Sequence, residues 1–378
     1  KIIALDQKRR EQKNELDFIL TQANQKAKEI GILFKKGKAE EANELKAATV
    51  AFKENSKTLQ ESLRQTTAAL YNLRTLIPNT PHELVPNGTS QENNKIVFTG
   101  GEIPKLADGA LPHWELASRY GLIDFELGSK ITGAGFPIYK GKGARLQRAL
   151  INYFLDKNTA AGYKEMQVPH LVNADSGFGT GQLPDKEGQM YRVPEDDLFL
   201  IPTAEVPLTN LYRNQLLQAN ELPICLTGYT PCFRREAGSY GANVRGLNRL
   251  HQFDKVEIVR IEEPQNASAA LEDMVNHVKG LLADLQMPYR ILSLCAGDLG
   301  FTAALTYDFE IFSAAQNRWL EISSVSTFDS FQAERLQLRY KNKLERKIGG
   351  SDSKKEVGEK DNLTIYDRLW SERGGWYP

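Results

Sequence analysis

The stretch P-C-F-R-R-E-A-G-S-Y-G-A-N-V-R-G-L-N-R-L-H-Q-F-D-K-V-E-I-V-R-I, from Pro231 to Ile261, reads as two strands joined by a Gly-rich loop that carries arginines. Side chains two apart on a strand share a face. Arg234 and Glu236 are therefore expected to point one way, and Phe253 and Glu257 to share a face of the returning strand. Where the two faces coincide, a guanidinium, two carboxylates and an aromatic ring converge. Arginine offers a planar fork of donors that fits a phosphate, and an aromatic face can cover a purine. The outline is that of a nucleotide site. The plainer alternative is a surface hairpin with a salt-bridged face, since isolated exposed Arg/Glu pairs contribute little. Four such residues in register with Gly238, Gly241 and Gly246 favour the site.

Around this hairpin, 378 residues suggest two or three domains, and 41% hydrophobic with 25% charged residues is the balance of a chain that buries a sizeable core. No apolar run approaches the roughly 20 residues needed to cross a bilayer, and the start carries no signal-peptide pattern. A cytoplasmic protein with no membrane partner is expected. Cys225, Cys232 and Cys295 are odd in number and lack zinc-type spacing, so they read as buried reduced thiols, and the five scattered histidines form no metal motif.

The zero formal charge conceals an asymmetry. Residues 1–75 hold 15 Lys+Arg against 10 Asp+Glu, an excess of +5 that leaves −5 for the remainder. In the same region Leu16, Leu20, Ala23, Ala27, Ile30 and Phe34 alternate four and three apart, as in a coiled-coil seam. After Lys35-Lys36-Gly37-Lys38, a second run places Leu45, Phe52, Leu59, Thr66 and Leu73 seven apart, with Leu63 and Leu70 at the other seam position. Two helices folding back at Gly37 make an antiparallel arm over residues 1–76. A dimerisation or spacer coil is one use of such an arm; the basic tip at Lys35, Lys36 and Lys38 favours RNA phosphates.

Pro78, Pro81, Pro86, Pro104 and Pro112, with Asn, Gly and Ser between, predict a linker over residues 77–111. A body over 112–340 follows. It contains an amphipathic helix from Ala144 to Asp156, with Leu146, Leu150 and Phe154 on one stripe, and another from about Ala267 to Leu285. Its strands do not alternate regularly with helices, which argues for an α+β fold with an antiparallel sheet.

The Pro231–Ile261 segment closely resembles motif 2 of the class II aminoacyl-tRNA synthetases, and its neighbours resemble the seryl-tRNA synthetase family of the bacterial type. Those neighbours are G-T-G-Q-L-P at Gly179–Pro184, I-P-T-A-E-V-P-L-T-N at Ile201–Asn210 and E-I-S-S-V-S at Glu321–Ser326. The resemblance runs from the first residues to about Tyr340. It implies ligation of L-serine to serine tRNA through a seryl-adenylate, with ATP as substrate and Mg²⁺ as cofactor. It also implies a homodimer, built on the 144–156 helix and the strand ending near Pro169, and an arm that grips the tRNA.

By the same resemblance Arg234 holds the α-phosphate, Glu236 meets the adenine amino group, Phe253 stacks on the purine, and Arg235 belongs to the ATP site. Thr203, Ala204 and Glu205 with Glu257 grasp serine. Glu321, Ile322, Ser323 and Ser324 contact ATP, with Glu321 and Ser324 on Mg²⁺, and Arg245 in the motif 2 loop meets tRNA. Competing readings stand beside these: Thr203 and Glu205 as a turn capped by its own side chains, and Glu321 as a buried, hydrogen-bonded structural carboxylate. Glu321 and Ser324, three apart, fall on opposite faces of a flat strand, so a shared role requires a bulge or strand end. A site that hydrogen-bonds a hydroxyl rejects alanine because unmatched buried polar groups are costly.

After Tyr340 the resemblance stops. The family's motif 3, with its arginine for the γ-phosphate and its Asn-Gly-Ser stretch, has no counterpart in the polar run K-N-K-L-E-R-K-I-G-G-S-D-S-K-K-E or in Leu363–Pro378. The tail over 341–378 reads as divergent, its polar run as far as Asn362 as mobile, and Arg368 and Arg373 are not assigned the missing role. Lys1 is not a natural start, and an initial helical segment is expected to be missing. Asn243-Val244-Arg245-Gly246 also stands where Asp-Thr-Arg-Gly is frequent in the family. Two functions remain open: a serine–tRNA ligase, or a catalytically inactive synthetase-like dimer that binds tRNA or a protein. Arg234, Glu236, Phe253, Glu257 and Glu321 together favour the enzyme. A relative that aminoacylates a carrier protein is not expected, because of the long basic arm, nor is a zinc-dependent one, for want of a ligand cluster.

Overall fold

A computed structural model of the chain describes residues 1–185, 187–236, 246–341, 361–362 and 364–367. The chain divides into two compact units, Lys1–Pro78 and Asn79–Pro378.

The first unit is a helical hairpin. Helix α1 (Ile2–Lys35) and helix α2 (Ala39–Arg74) meet at a turn where Gly37 takes φ 74°, a left-handed value that glycine adopts without strain. The pairing is antiparallel: Gln12 donates to Ser62 Oγ at 2.7 Å, two residues equidistant from Gly37 along the chain. The expected α1 seam is corrected at every second position. Leu16, Ala23 and Ile30 face inward as expected, but Ile19, Lys26 and Leu33 share the seam with them, while Leu20, Ala27 and Phe34 are exposed. Ile19 and Leu33 rival Leu20 and Phe34 as apolar candidates, so the sequence pattern fits either row at those positions, while Lys26 takes the seam position expected of Ala27; the buried Gln12 and Thr66 mark the faces that pack. At the tip, Lys38 is ion-paired with Glu41 at 2.9 Å on the exposed surface.

The second unit is built on a sheet of eight strands. These are β1 (Lys95–Gly100), β2 (Lys164–Glu165), β3 (Ile224–Phe233), β4 (Gln252–Glu262), β5 (Tyr289–Ser293), β6 (Leu305–Ser313), β7 (Arg318–Thr327) and β8 (Thr364–Asp367). Their order is β1-β5-β6-β7-β8-β4-β3-β2, antiparallel throughout except for the parallel β3–β2 pair at one edge. This is the expected α+β architecture.

Helices cover both faces. On one side the helix Ala267–Asp284 presents Ala270, Leu271, Met274, Val278, Leu281 and Leu282, the spacing of an inward stripe. Those side chains pack with Phe154 against Val256, Ile258, Phe309 and Val325. The expected stripe of the helix Lys142–Ala160 is graded: Phe154 is buried, Leu150 packs at the margin of the core, and Leu146 is 49% exposed. On the other side Ala204, Leu208, Ala333, Leu336 and Leu338 pack against Val259 and Ile261. Alternation along β4 therefore sets Phe253, Lys255 and Glu257 on the face that meets residues 201–210.

Two stretches depart from expectation. The prolines suggested a linker over 77–111, but Lys95–Gly100 pairs with β5 as an edge strand, and Asn79 donates to the carbonyls of Thr302 and Phe328 at 2.9 Å. Proline-free K-I-V-F-T supplies a strand between the breaks. Part of the divergent tail also enters the fold: Asp361–Asn362, at the end of the run read as mobile, pairs with Arg339–Tyr340, and beyond it β8 fills the slot between β7 and β4, with Asp367 opposite both Val259 and Ser326. The T-I-Y-D run is short but β-prone, and a gap between two strands offers unpaired donors and acceptors on both sides.

Candidate active site

On the inner face of β4, Lys255 is 1% exposed and Glu257 is fully buried, and Lys255 Nζ lies 2.7 Å from Glu257 Oε2. Thr203 joins them from the turn before the helix Glu205–Asn210. Its hydroxyl donates to Glu257 Oε2 at 2.7 Å and accepts from Lys255 Nζ at 2.7 Å and from the Glu205 backbone N–H at 3.1 Å. A hydroxyl has one proton and two lone pairs, so Thr203 Oγ1 is saturated. The turn-capping reading of Thr203 is thus part of the geometry. Glu257 Oε1 is buried with no hydrogen-bond partner among the described residues. Glu205, also buried, accepts at Oε1 from Gln332 Nε2 at 2.6 Å.

Glu205 lines a cleft of about 840 Å³. Thr180, Gly181, Gln182 and Pro184 form part of its wall, so the Gly179–Pro184 string falls where the Ile201–Asn210 string does. Glu321 and Ser324 line it as well. The bulge their spacing requires is present: Phe309 pairs with Ser323 and Glu310 with Glu321, which leaves Ile322 as the extra residue. Of the four consecutive residues, Ile322 belongs to the hydrophobic core, and Ser323 is buried without lining the cleft.

The other predicted convergence is only partial. Arg234 Nε donates to the Pro202 carbonyl at 3.1 Å, and its guanidinium sits 5.2 Å from the Phe253 ring centroid, so these two do meet beside the Thr203 turn. Glu236 does not share their face. Strand β3 ends at Phe233, and Glu236 takes φ 49°, outside the extended region on which the alternation argument depends. Its buried carboxylate accepts from Arg249 Nη1 at 2.9 Å and lines a second cavity with His251, Phe136 and Trp114. Arg235 is exposed and is held through its backbone N–H by the Gln189 carbonyl. Arg245, Gly238 and Gly241 lie outside the described residues.

At the end of that loop Gly246 has φ 73°, and a Cβ there would come within 2.3 Å of His113 Nε2. The close approach lets the Leu247 N–H donate to His113 Nε2 at 2.8 Å. Burial, with the nearby Arg318 charge, brings the His113 pKa down to about 4, so the ring is a neutral acceptor at pH 7. Burial likewise pushes the Cys232 thiol up. Of the three cysteines expected to be buried, Cys225 is only half-buried.

Several residues in or behind the cleft wall escaped the sequence reading. Lys255 shares parity with Phe253 and Glu257, and a lysine inside an otherwise buried strand was a legible signal. Gln332, and the Arg290–Glu310 ion pair in the cleft wall, carried none, because their partners are distant in sequence.

The chain resembles known proteins along most of its length. A family model described as the seryl-tRNA synthetase N-terminal domain matches residues 1–81, and one for the tRNA synthetase class II core domain (G, H, P, S and T) matches residues 190–348. A serine–tRNA ligase of Salinibacter ruber is 49% identical over 340 residues, covering 90% of this chain and 79% of that protein. One of Akkermansia muciniphila is 44% identical over 343 residues, with the same coverages. The solved seryl-tRNA synthetase of Pyrococcus horikoshii, complexed with ATP, matches at TM-score 0.89 and 27% identity, covering 98% of this chain and 85% of its own. A cytoplasmic serine–tRNA ligase of Naegleria fowleri, solved with AMP, shares the fold at TM-score 0.84 and 24% identity, covering 99% of this chain and 85% of its own. Sequence identity at this level over this length, joined to a class II sheet and a two-helix arm, places the chain in the seryl-tRNA synthetase family, the serine–tRNA ligases.

Proposed function

We propose that this ligase activates L-serine with ATP to seryl-adenylate and then passes the seryl group to the terminal ribose of serine tRNA. The observation that carries the reading is Glu257 Oε1, a buried carboxylate oxygen without a hydrogen-bond partner among the described residues, held one residue contact from a cleft-lining Glu205. A buried acceptor left unmatched costs about 1–3 kcal/mol, which a substrate donor recovers on binding. Glu257 and Glu205 then serve as the serine acceptors. Thr203 acts mainly by holding them, because its own hydroxyl is saturated, and Ala204 supplies the backbone of the turn.

Arg234 is assigned the α-phosphate. Its guanidinium covers the Phe253 face, so a purine that stacks there displaces it from the ring. Glu236 and Arg235 complete the nucleotide end. Glu321 and Ser324 offer hard oxygen donors on one wall, and among the described residues no three His, Cys, Asp or Glu side chains cluster as a metal site. Two protein oxygens suit Mg²⁺, which prefers to complete its shell with phosphate and water. When bound, the ion would neutralise phosphate charge. Lys35, Lys36, Lys38 and Arg245 are assigned to tRNA, and a homodimer is proposed through the partly exposed helix Lys142–Ala160. Among the described residues no helix is long and apolar enough to cross a membrane.

One observation favours a second reading, a non-catalytic tRNA-binding or protein-binding dimer: the sequence beyond Tyr340 carries no counterpart of motif 3. Serine-dependent ATP–pyrophosphate exchange decides between them. Exchange that disappears in Arg234→Ala supports the adenylate reading; a folded chain that binds serine tRNA without exchange overturns it.

A further inference from the structure

Lys255 is the member of the buried set to which neither the motif strings nor the proposed roles give a task. Its ammonium is 2.7 Å from both Glu257 Oε2 and Thr203 Oγ1, at a position 1% exposed. Because Lys255 and the Glu205 N–H both donate to Thr203 Oγ1, the hydroxyl proton has one direction left, toward Glu257 Oε2. Glu257 therefore has one oxygen fully engaged by Lys255 and Thr203, the other without a hydrogen-bond partner among the described residues, and its charge compensated at contact distance. Glu205 differs: its observed side-chain partner is the neutral amide of Gln332, and it lines the cleft.

We infer that Lys255 is a positioning residue that sets amino-acid selectivity, making Glu257 Oε1 an acceptor for a neutral hydroxyl and leaving Glu205 as the carboxylate for the substrate ammonium. The inference rests on the reading that this cleft takes serine. An ammonium gains most from an uncompensated carboxylate; beside Glu257 it meets a charge already paired and the like charge of Lys255. A hydroxyl carries no net charge and loses nothing to that repulsion. The set thus distinguishes serine from a side chain of the same size bearing a cation, as well as from alanine, which offers no donor.

The test compares L-serine with L-2,3-diaminopropionate, in which an amine that is protonated near neutral pH replaces the serine hydroxyl, in ATP–pyrophosphate exchange. The native chain is expected to prefer serine in kcat/KM by about a hundredfold or more, in line with the strength of charge-assisted contacts. Lys255→Met is expected to raise the serine KM by about tenfold while moving the ATP KM far less, and to shift the kcat/KM ratio toward diaminopropionate by about tenfold. Lys255→Arg, which keeps a cation, restores part of the serine preference. Equal losses for both amino acids, or an ATP KM that rises with the serine KM, would reduce Lys255 to a structural pair and overturn the inference. If Lys255→Met does not fold, the native measurement still decides, because comparable use of the two amino acids overturns it directly. A native chain that exchanges with neither sinks the parent reading, whereas exchange without selectivity sinks this inference alone.

Discussion

The hairpin of β3 and β4 carries a charged pair near its middle and another near its loop, and the two meet solvent differently. Lys255 and Glu257 are enclosed on all sides, share Thr203 as a third partner and lie between covered sheet faces. Arg249 and Glu236 pair at a similar distance, but Arg249 is 46% exposed. Coulomb attraction rises as the dielectric falls, and so does the cost of leaving either partner alone. The middle of the hairpin is therefore a fixed arrangement, while its loop end can exchange one set of contacts for another. Under the proposed function, amino-acid selection is assigned to the first and nucleotide entry to the second.

Glu257→Ala tests this contrast most severely. It strands the buried Lys255 charge and is expected to cost about 3–5 kcal/mol in urea or thermal unfolding, along with serine-dependent exchange. A loss below about 1 kcal/mol would show that water reaches this pair and that the two ends do not differ.

The loop end has its own buried titratable group. His113 is held neutral with its pKa near 4, below the ordinary value of 6.5, so the unfolded chain binds more protons between these values. Stability from this group is fully present above pH 6.5 and is lost as pH falls toward 4, on the order of 3 kcal/mol. His113→Gln can still accept from the Leu247 N–H and should flatten the stability profile in that window; an unchanged profile would remove His113 as its source.

Arg234→Ala is expected to lower exchange by about a hundredfold, a loss of transition-state contact of about 2.7 kcal/mol, with stability changed by less than about 1 kcal/mol. A large stability loss instead would make Arg234 a structural brace between Pro202 and Phe253. Arg249→Ala is the mildest probe, at about 1 kcal/mol or less in unfolding. A cost equal to that of Glu257→Ala would erase the distinction between the two ends.

Much of the molecule was legible before folding. The 4–3 spacing of apolar residues announced the hairpin arm, and the turn at Gly37 fell where the pattern broke. The helix Ala267–Asp284 ends within a residue of its expected boundary because its stripe is long and strictly periodic. The spacing of Glu321 and Ser324 demanded a bulge, and β7 has one. Errors arose where two local readings were equally good. Leu20 and Ile19 could each have joined the seam, and Arg234 and Glu236 were read as strand although the chain turns at Glu236. Neither choice is encoded in nearest neighbours, since the opposing helix decides the first and Arg249 accompanies the second.

The sequence by itself determined periodicity, segment type and the motif strings, because these depend on backbone geometry and on residues close in the chain. Tertiary structure alone decided that Gln332 holds Glu205 across 127 positions, that Thr203 has no hydrogen-bonding capacity left, and that Glu257 keeps one oxygen unpartnered among the described residues. Saturation is a property of a closed set of donors and acceptors, and that set exists only once distant segments are packed around it.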